Sequence, residues 1–258
     1  MRHWIEQAGT SAVNATRFAG GTLTLLVQTL LAVARPPLRA KQVMEQMAKI
    51  GVNSLVIVTL TNFFIGVVIA LQSAYQMKKV SAEIYIPSLV AISVCREIGP
   101  IITALVVAGR IGASIAAELG SMKVTEQIDA LETLAADPVK YLVTPRFLAL
   151  VTMLPLLTVY ADMIGIAGGY VVSVFKLGLS SSLYVKMTFL PLELKDIFTG
   201  LFKTVIFAVL ICIISCYEGL RVEGGAEGVG AATTRAVVQS FIFIIVFDAF
   251  FTVVLNIF

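Results

Sequence analysis

The sequence predicts an all-α polytopic membrane protein, and three observations lead to that fold class. The 258 residues are 58% hydrophobic and only 14% charged, with a mean hydropathy of +0.94, whereas soluble domains are about one quarter charged. Long apolar runs recur along the chain, separated by short polar segments. Lysine and arginine concentrate in alternate polar segments, as in membrane loops. We therefore expect an N-terminal interfacial helix, five transmembrane helices and one short cytoplasmic helix.

Residues 1–50 form a basic segment around one short apolar run at 23–34. That run is shorter than the roughly 18 residues of a spanning helix, and Arg35 and Pro36 follow it. We expect residues 1–50 to be a cytoplasmic or interfacial amphipathic segment, with the apolar run lying in the membrane surface. Two alternatives stay open, namely an additional span and a cleaved signal peptide, to which Arg17 is poorly suited.

Residues 51–258 contain the five predicted spans and form one transmembrane domain. The second span is longer than a bilayer requires, so it must tilt, bend or project into water. Gly99 and Pro100 mark the expected bend, because proline removes a backbone hydrogen bond and clashes with the preceding turn. The loop after the third span is expected to hold a short helix around 183–190. The spans cover about 52–75, 87–117, 147–175, 197–217 and 236–258.

The basic residues predict on which side of the membrane each loop lies, because cytoplasmic loops carry the excess of lysine and arginine. The N-terminal segment, the loop after the second span and the last loop hold eleven such residues, and the other two loops hold five. We therefore expect a cytoplasmic N-terminus and a periplasmic C-terminus. The eleven are Arg2, Arg17, Arg35, Arg39, Lys41, Lys49, Lys123, Lys140, Arg146, Arg221 and Arg235, and the five are Lys78, Lys79, Lys176, Lys186 and Lys195.

The polar segment after the second span has the pattern of a short amphipathic helix at about 124–135, ended by Asp137 and Pro138. A helix held between two spans in the cytoplasm is suited to docking a partner protein. The alternative is an ordinary helix on the membrane surface. Its apolar face comprises Val124, Ile128, Leu131 and Ala135, and its first polar positions are Thr125, Glu126, Gln127 and Asp129.

Six charged residues fall inside the predicted spans, and five of them, all except Arg110, form one candidate group. Each would cost roughly 3 kcal/mol at the bilayer centre, so we expect them to pair and to line the inside of the bundle. Lys203 and Asp248 lie about 10 and 15 Å from the outer ends of their spans and are the expected pair. Such pairs either lock helices together or act on a transported molecule, and both readings stay open. The group is Arg96, Glu97, Lys203 and Asp248, and Asp162 of the third span is expected nearby.

Several chemistries find no support in the sequence. It holds no GxxxxGK[ST] motif for nucleotide phosphates, and His3 is its single histidine. Cys95, Cys212 and Cys216 lie in apolar runs without a CxxC pair, so we expect buried thiols rather than a metal site or a disulfide. A net charge of +3 is too small to indicate nucleic acid. We therefore expect a non-catalytic chain without metal, cofactor or nucleic-acid partner.

The stretch at 96–146 resembles the MlaE family, the permease subunits of MCE-type ABC lipid transporters. The resemblance rests on REIGP, AGRIGASIAAELGSMKVTEQIDALE, DP and PR in that order, and on ATTRAVV at 232–238. It implies a homodimeric permease in the bacterial inner membrane that moves phospholipids between inner and outer membranes and so bears on outer-membrane lipid asymmetry. It also implies a cytoplasmic ATPase that docks on the 124–135 helix and holds ATP and Mg²⁺, with a small STAS-domain protein as an optional companion, and a periplasmic ring of MCE-domain proteins.

Two other functions remain open at this stage. Glu97, Asp162 and Asp248 inside the membrane also suit an ion-coupled secondary transporter, in which uncouplers would abolish transport without any ATPase. A structural membrane anchor for a periplasmic complex is the second alternative, and it predicts that substitutions in the cavity are silent. An intramembrane enzyme would need a nucleophile with a base, or a metal set, and the sequence offers neither.

Overall fold

The computed structural model describes the backbone of residues 2–36 and 39–257 and the side chains of residues 13, 16–36 and 39–254. The side chain of His3, the single histidine, therefore lies outside the described part. Within the described part the fold is all-α, and six helical stretches are long and apolar enough to cross a membrane. The protein is thus an all-α polytopic membrane protein. Its α-helices are α1 (Arg2–Val33), α2 (Ala40–Met77), α3 (Ile86–Ser93), α4 (Gly99–Val107), α5 (Ala113–Val124), α6 (Gln127–Thr133), α7 (Thr144–Phe175), α8 (Ser181–Phe189), α9 (Leu194–Leu220) and α10 (Gly225–Ile257).

Helices α3, α4 and α5 follow one another as a single long helical stretch, Glu83–Val124, interrupted by two π-helical turns. The first turn, Val94–Ile98, ends immediately before Gly99 and Pro100, where the sequence predicts a bend. Pro100 has no N–H for the preceding turn and its ring crowds the carbonyl four residues earlier, so the helix widens there. The second turn, Ala108–Gly112, has no proline and was not predicted from the sequence.

Helices α2 and α7 are in close backbone contact. A Cβ atom at Gly66 would collide with the carbonyl group of Gly165, and one at Gly168 would collide with the carbonyl group of Phe63. Glycine at these positions lets the two backbones touch, which is how many helices pack inside membranes. Gly165 and Gly168 of the third predicted span therefore belong to the contact surface for α2.

The loops gather at two ends of the bundle. The connector end, defined by residues 125–143 and 221–224, also receives the start of α2, because the ammonium of Lys49 pairs with Glu118 and the guanidinium of Arg39 lies 4.0 Å from the centre of the Tyr141 ring. At the opposite end, Ser88 donates a hydrogen bond to the carbonyl oxygen of Met187 at 2.7 Å, which ties the start of α3 to α8. The two predicted sets of basic loops therefore lie at different ends.

Helix α1 is longer than the apolar run at 23–34, and its part Thr16–Val33 is long and apolar enough to span a membrane. Near the end of α9, the Phe18 ring of α1 packs edge-on against Tyr217, whose hydroxyl donates a hydrogen bond to the carbonyl oxygen of Arg17. The interfacial placement of α1 and its alternative, an additional span, both stay predictions.

The buried core lies between α4, α5, α7 and α9, and its fully buried members include Leu150, Leu154, Phe207 and Ile211. Cys95, Cys212 and Cys216 are buried free thiols. Large apolar side chains such as Phe64 and Phe250 are exposed on the outer faces of α2 and α10. Exposed apolar surface of that extent is expected where lipid rather than water surrounds the bundle.

Candidate functional site

The candidate site is built around Lys203, whose side chain is completely buried. Its ammonium nitrogen lies 2.5 Å from Oε2 of Glu97, 3.1 Å from Oδ1 of Asp248 and 2.8 Å from Oγ1 of Thr252. Three partners use all three donors of the ammonium group. We call these four residues the charge cluster.

Three elements bring the charge cluster together. Glu97 projects from the first π turn, Lys203 from α9, and Asp248 from α10, where Thr252 follows one turn later. Gly200, one turn before Lys203, lies so close to the π turn that a Cβ atom there would collide with the carbonyl oxygen of Cys95. That close approach brings α9 against the π turn and places the buried lysine beside Glu97.

The charge cluster holds one cation and two carboxylates and is therefore negative when all three are ionised. The side chains of Glu97 and Asp248 are 30% and 15% exposed, so the excess negative charge lies on the accessible side. Arg96 does not join the cluster. Its guanidinium lies 3.7 Å from Asp196 at the start of α9, a partner that the sequence did not predict.

Asp162 is also separate from the charge cluster, which corrects the expectation that it would lie close to Lys203. Its carboxyl group contacts Gly99 on the side of the π turn that faces α7. Together with Cys95, Asp162 lines a different cavity. Oδ1 is buried and accepts no hydrogen bond from the residues that the structure describes. The π turn separates Asp162 from Lys203, because Cys95 faces α7 and Glu97 faces α9.

The connector helix is shorter than predicted. Helix α6 covers Gln127–Thr133 instead of 124–135, because Glu126 has a left-handed backbone (φ 58°) and Ala135 another (φ 55°). Val124 consequently belongs to α5, whereas Ile128 is buried against the bundle as expected. The apolar periodicity of the sequence continues through Glu126 and Ala135, so it predicted a connector helix that is longer than α6.

The polar side of the connector is exposed. Thr125 bonds back to the carbonyl oxygen of Ser121 at 2.8 Å, and the Gln127 amide donates to Oγ1 of Thr125 at 3.0 Å. Asp129 pairs with Lys123 at 2.6 Å. Glu126 lies at the tip of the turn, where its exposed carboxylate is available to a partner protein.

Beneath the connector lies an ion-pair network that the sequence did not predict. The carboxylate of Glu118 contacts the ammonium of Lys49, the guanidinium of Arg146 at 3.2 Å and the hydroxyl of Ser114 at 3.0 Å. The network joins α2, α5 and α7 at one point. A glutamate four residues after a serine at the end of a span was the available signal, but its partners lie 69 and 28 residues away.

At the opposite end, Tyr184 fastens α8 to α7. Its hydroxyl donates a hydrogen bond to the carbonyl oxygen of Ile166 at 2.9 Å, and its ring packs edge-on against Tyr170. Burial raises the pKa of Tyr184 to about 12, so the phenol stays a neutral donor. Helix α8 is thereby held next to the cavity that Asp162 lines.

Comparison with known proteins adds a family match and several relatives to this geometry. A family profile described as "Permease MlaE" matches residues 43–254, which include the charge cluster and the connector. A probable ABC transporter permease protein of Rickettsia typhi is 49% identical over 214 residues, covering 83% of each chain. A probable ABC transporter permease protein of Synechocystis is 39% identical over 223 residues, covering 86% of this chain and 85% of the relative.

A more distant relative is found in a plant. The chloroplastic protein TRIGALACTOSYLDIACYLGLYCEROL 1 of Arabidopsis thaliana is 35% identical over 221 residues. The matched stretch covers 86% of this chain and 63% of the plant protein. The bacterial and plant relatives therefore each match more than four fifths of this chain.

Proposed function

The chain belongs to the MlaE permease family, and on that premise we propose that it is the permease subunit of an ATP-driven transporter that moves phospholipids between the inner and outer membranes of a bacterium. The observation that carries the proposal is the set of partly exposed charges inside an apolar bundle. Arg96 and Glu97 are neighbours in the chain, with side chains 31% and 30% exposed, and carry opposite charges.

A phospholipid is the substrate class that suits such a surface. Its phosphate is complementary to a guanidinium, and the amine of a zwitterionic head group is complementary to the negative side of the charge cluster. Its acyl chains are compatible with the surrounding apolar side chains. The plant relative supports a lipid substrate, because its name is that of a diacylglycerol lipid.

The connector supports the link to ATP. An ATPase on the cytoplasmic side would contact the exposed positions Thr125, Glu126, Gln127 and Asp129, and would hold the ATP and Mg²⁺ itself. Helices α5 and α4 then run from the connector to Glu97, a distance of roughly 40 Å at 1.5 Å per residue. The two π turns interrupt this path, and such turns often mark functional sites in helices.

The remaining assembly follows the family. We propose a homodimer in the inner membrane with a cytoplasmic N-terminus, a periplasmic C-terminus, a periplasmic ring of MCE-domain proteins and a small STAS-domain protein beside the ATPase. Only 11% of the candidate span in α10 is buried, compared with 50% in α9, so α10 retains an apolar face for a second copy.

Two alternatives make different predictions. An ion-coupled secondary transporter would use Glu97 and Asp248 as ion ligands and would run without an ATPase. A structural anchor would bind its partners and transport nothing. The ion pairing of both carboxylates with Lys203 favours neither alternative over the lipid permease.

The test is reconstitution of the chain with its ATPase and MCE-domain partners in vesicles, with transfer of a fluorescent phospholipid as the measurement. We expect ATP-dependent transfer, and we expect Glu126→Lys to reduce ATPase association and transfer at least tenfold, because reversed charge in a docking surface leaves like charges opposed. Glu227→Lys is the matched control, since Glu227 is exposed at the same end but lies outside the connector. Transfer that persists without the ATPase and stops with an uncoupler would contradict the proposal.

A further inference from the structure

A second cavity lies on the α7 side of the first π turn, away from Lys203. Its volume is about 410 Å³, within the range of roughly 300–1,000 Å³ typical of small-molecule sites. Its walls are α7, the end of α8 with the following loop, the start of α9 and Cys95. We call it the α7 groove, and the side chains that matter here are Cys95, Val159, Asp162, Met163, Ile166 and Phe189.

The α7 groove is apolar except for the thiol of Cys95 and the carboxyl group of Asp162. Asp162 is 7% exposed, and no described lysine or arginine forms an ion pair with it. Burying an isolated carboxylate costs free energy, so the α7 groove favours the neutral acid form of Asp162. A neutral acid presents an O–H donor, and the buried Oδ1 has no hydrogen-bond partner among the described residues.

The mouth of the α7 groove opens on the lipid-facing surface. Met163 and Phe189 are 67% and 66% exposed there, and both are apolar. Ile197, at the rim, is three residues from the first residue of α9, so the groove lies just inside the level at which α9 enters the membrane. Ester carbonyl groups of bilayer lipids lie near that level, with the acyl chains below them.

We infer that the α7 groove binds a diacyl lipid of the surrounding bilayer, with an acyl chain along its apolar wall and an ester carbonyl oxygen accepting the hydrogen bond of Asp162. The lipid supplies the acceptor that the protein lacks and covers the exposed apolar mouth. This site is distinct from the charge cluster, although both touch the π turn Val94–Ile98. It would exist whatever the energy source for transport, so it does not depend on the function proposed above.

The test uses the full-length chain in detergent micelles, without nucleotide, and a phosphatidylcholine that carries a diazirine in one acyl chain. After illumination, we expect labelled peptides that contain Met163 and Phe189. Unlabelled diacyl phosphatidylcholine should compete at roughly fivefold lower concentration than a dialkyl ether analogue of the same length, because the ether lacks the carbonyl acceptor. Asp162→Leu should abolish that difference, and Asp162→Asn, whose amide is still a donor, should retain most of it.

Two further variants keep the test independent of the folding of the Asp162 variants. Met163→Trp should fill the mouth and reduce labelling at Phe189, whereas Leu156→Trp, on an exposed part of α7 outside the groove, should leave it unchanged. Equal competition by the diacyl and dialkyl lipids in the unmodified chain would overturn the inference. Loss of labelling in the complete transporter complex would also overturn it, because a partner protein would then cover the groove.

Discussion

Lys203 shows how one buried cation can organise three helices. Its ammonium contacts Glu97 and Asp248, so removing the lysine leaves two carboxylates facing each other without a counter-charge. The loss of one partner from a buried ion pair is more damaging than the loss of the whole group, because the remaining charge is desolvated and unpaired. The pair expected from the sequence, Lys203 with Asp248, is present, but Lys203 lies closer to Glu97 than to Asp248.

The first prediction at the residue scale therefore concerns the relative stabilities of three variants of the charge cluster. Lys203→Met should destabilise the protein by about 3–5 kcal/mol. Asp248→Asn should cost less, because Glu97 remains as a partner. The triple variant Lys203→Met, Glu97→Gln, Asp248→Asn should recover most of the loss, because no unpaired charge remains.

Thermal unfolding in detergent measures this order, with a decrease in Tm of roughly 10 °C expected for Lys203→Met. Lipid transfer by the triple variant then separates two roles. Recovered stability with recovered transfer means that the cluster only holds the helices together, and recovered stability without transfer means that the charges act on the lipid. A Tm of Lys203→Met equal to that of the unmodified chain would contradict the buried ion-pair geometry.

At the scale of elements, the fold depends on places where helices depart from ideal packing or ideal geometry. The π turn before Gly99 widens the helix, so that Cys95 faces α7 while Glu97 faces α9. The crossing of α2 and α7 depends on glycine at the point where the backbones touch. Since a widened turn and a close crossing both involve backbone atoms, repacking of side chains cannot compensate for a change there.

The crossing gives an element-scale prediction. Gly66→Ala should destabilise the protein by about 2 kcal/mol or more, because the new Cβ atom would collide with the carbonyl group of Gly165 and force the helices apart. Gly230→Ala is the matched control in α10, where nothing lies within 4 Å of the added atom. There alanine should be neutral or stabilising by up to about 1 kcal/mol, because glycine is a poor helix former. Thermal unfolding of both variants side by side checks the contrast, and equal effects would refute the close crossing.

At the scale of the whole molecule, the loops divide into two ends, and the basic residues divide with them. The connector end includes Arg39, Lys49 and Arg146, which the contacts with Tyr141 and Glu118 bring together. The opposite end includes Lys186 on α8. This grouping is a property of the fold, and the charge rule then proposes that the connector end faces the cytoplasm.

Labelling of single cysteines checks that orientation. An impermeant maleimide applied to intact spheroplasts should label Lys186→Cys and should leave Thr133→Cys and Glu227→Cys unlabelled, since the last two lie exposed at the connector end. Permeabilised cells should show labelling of all three. The native cysteines are buried and provide the background control. Reaction of Thr133→Cys in intact spheroplasts would invert the proposed orientation.

The sequence by itself determined the fold class, because the hydrocarbon core selects apolar segments of a set length whatever their partners. It also indicated the disturbance at Pro100, since the missing N–H acts on the local helix. The contact of Lys203 with Asp248 followed from counting depth along two helices, which needs only the rise per residue.

Only the tertiary structure decided how the charges are shared. Depth along a helix says nothing about the direction in which a side chain points, and each π turn adds a residue that shifts this direction for everything after it. Arg96 therefore meets Asp196, Asp162 faces a groove of its own, and Glu118 meets Lys49 and Arg146 from distant parts of the chain. These partners are fixed by the way whole helices pack, because close backbone contacts such as that of Gly200 with Cys95 set which faces meet.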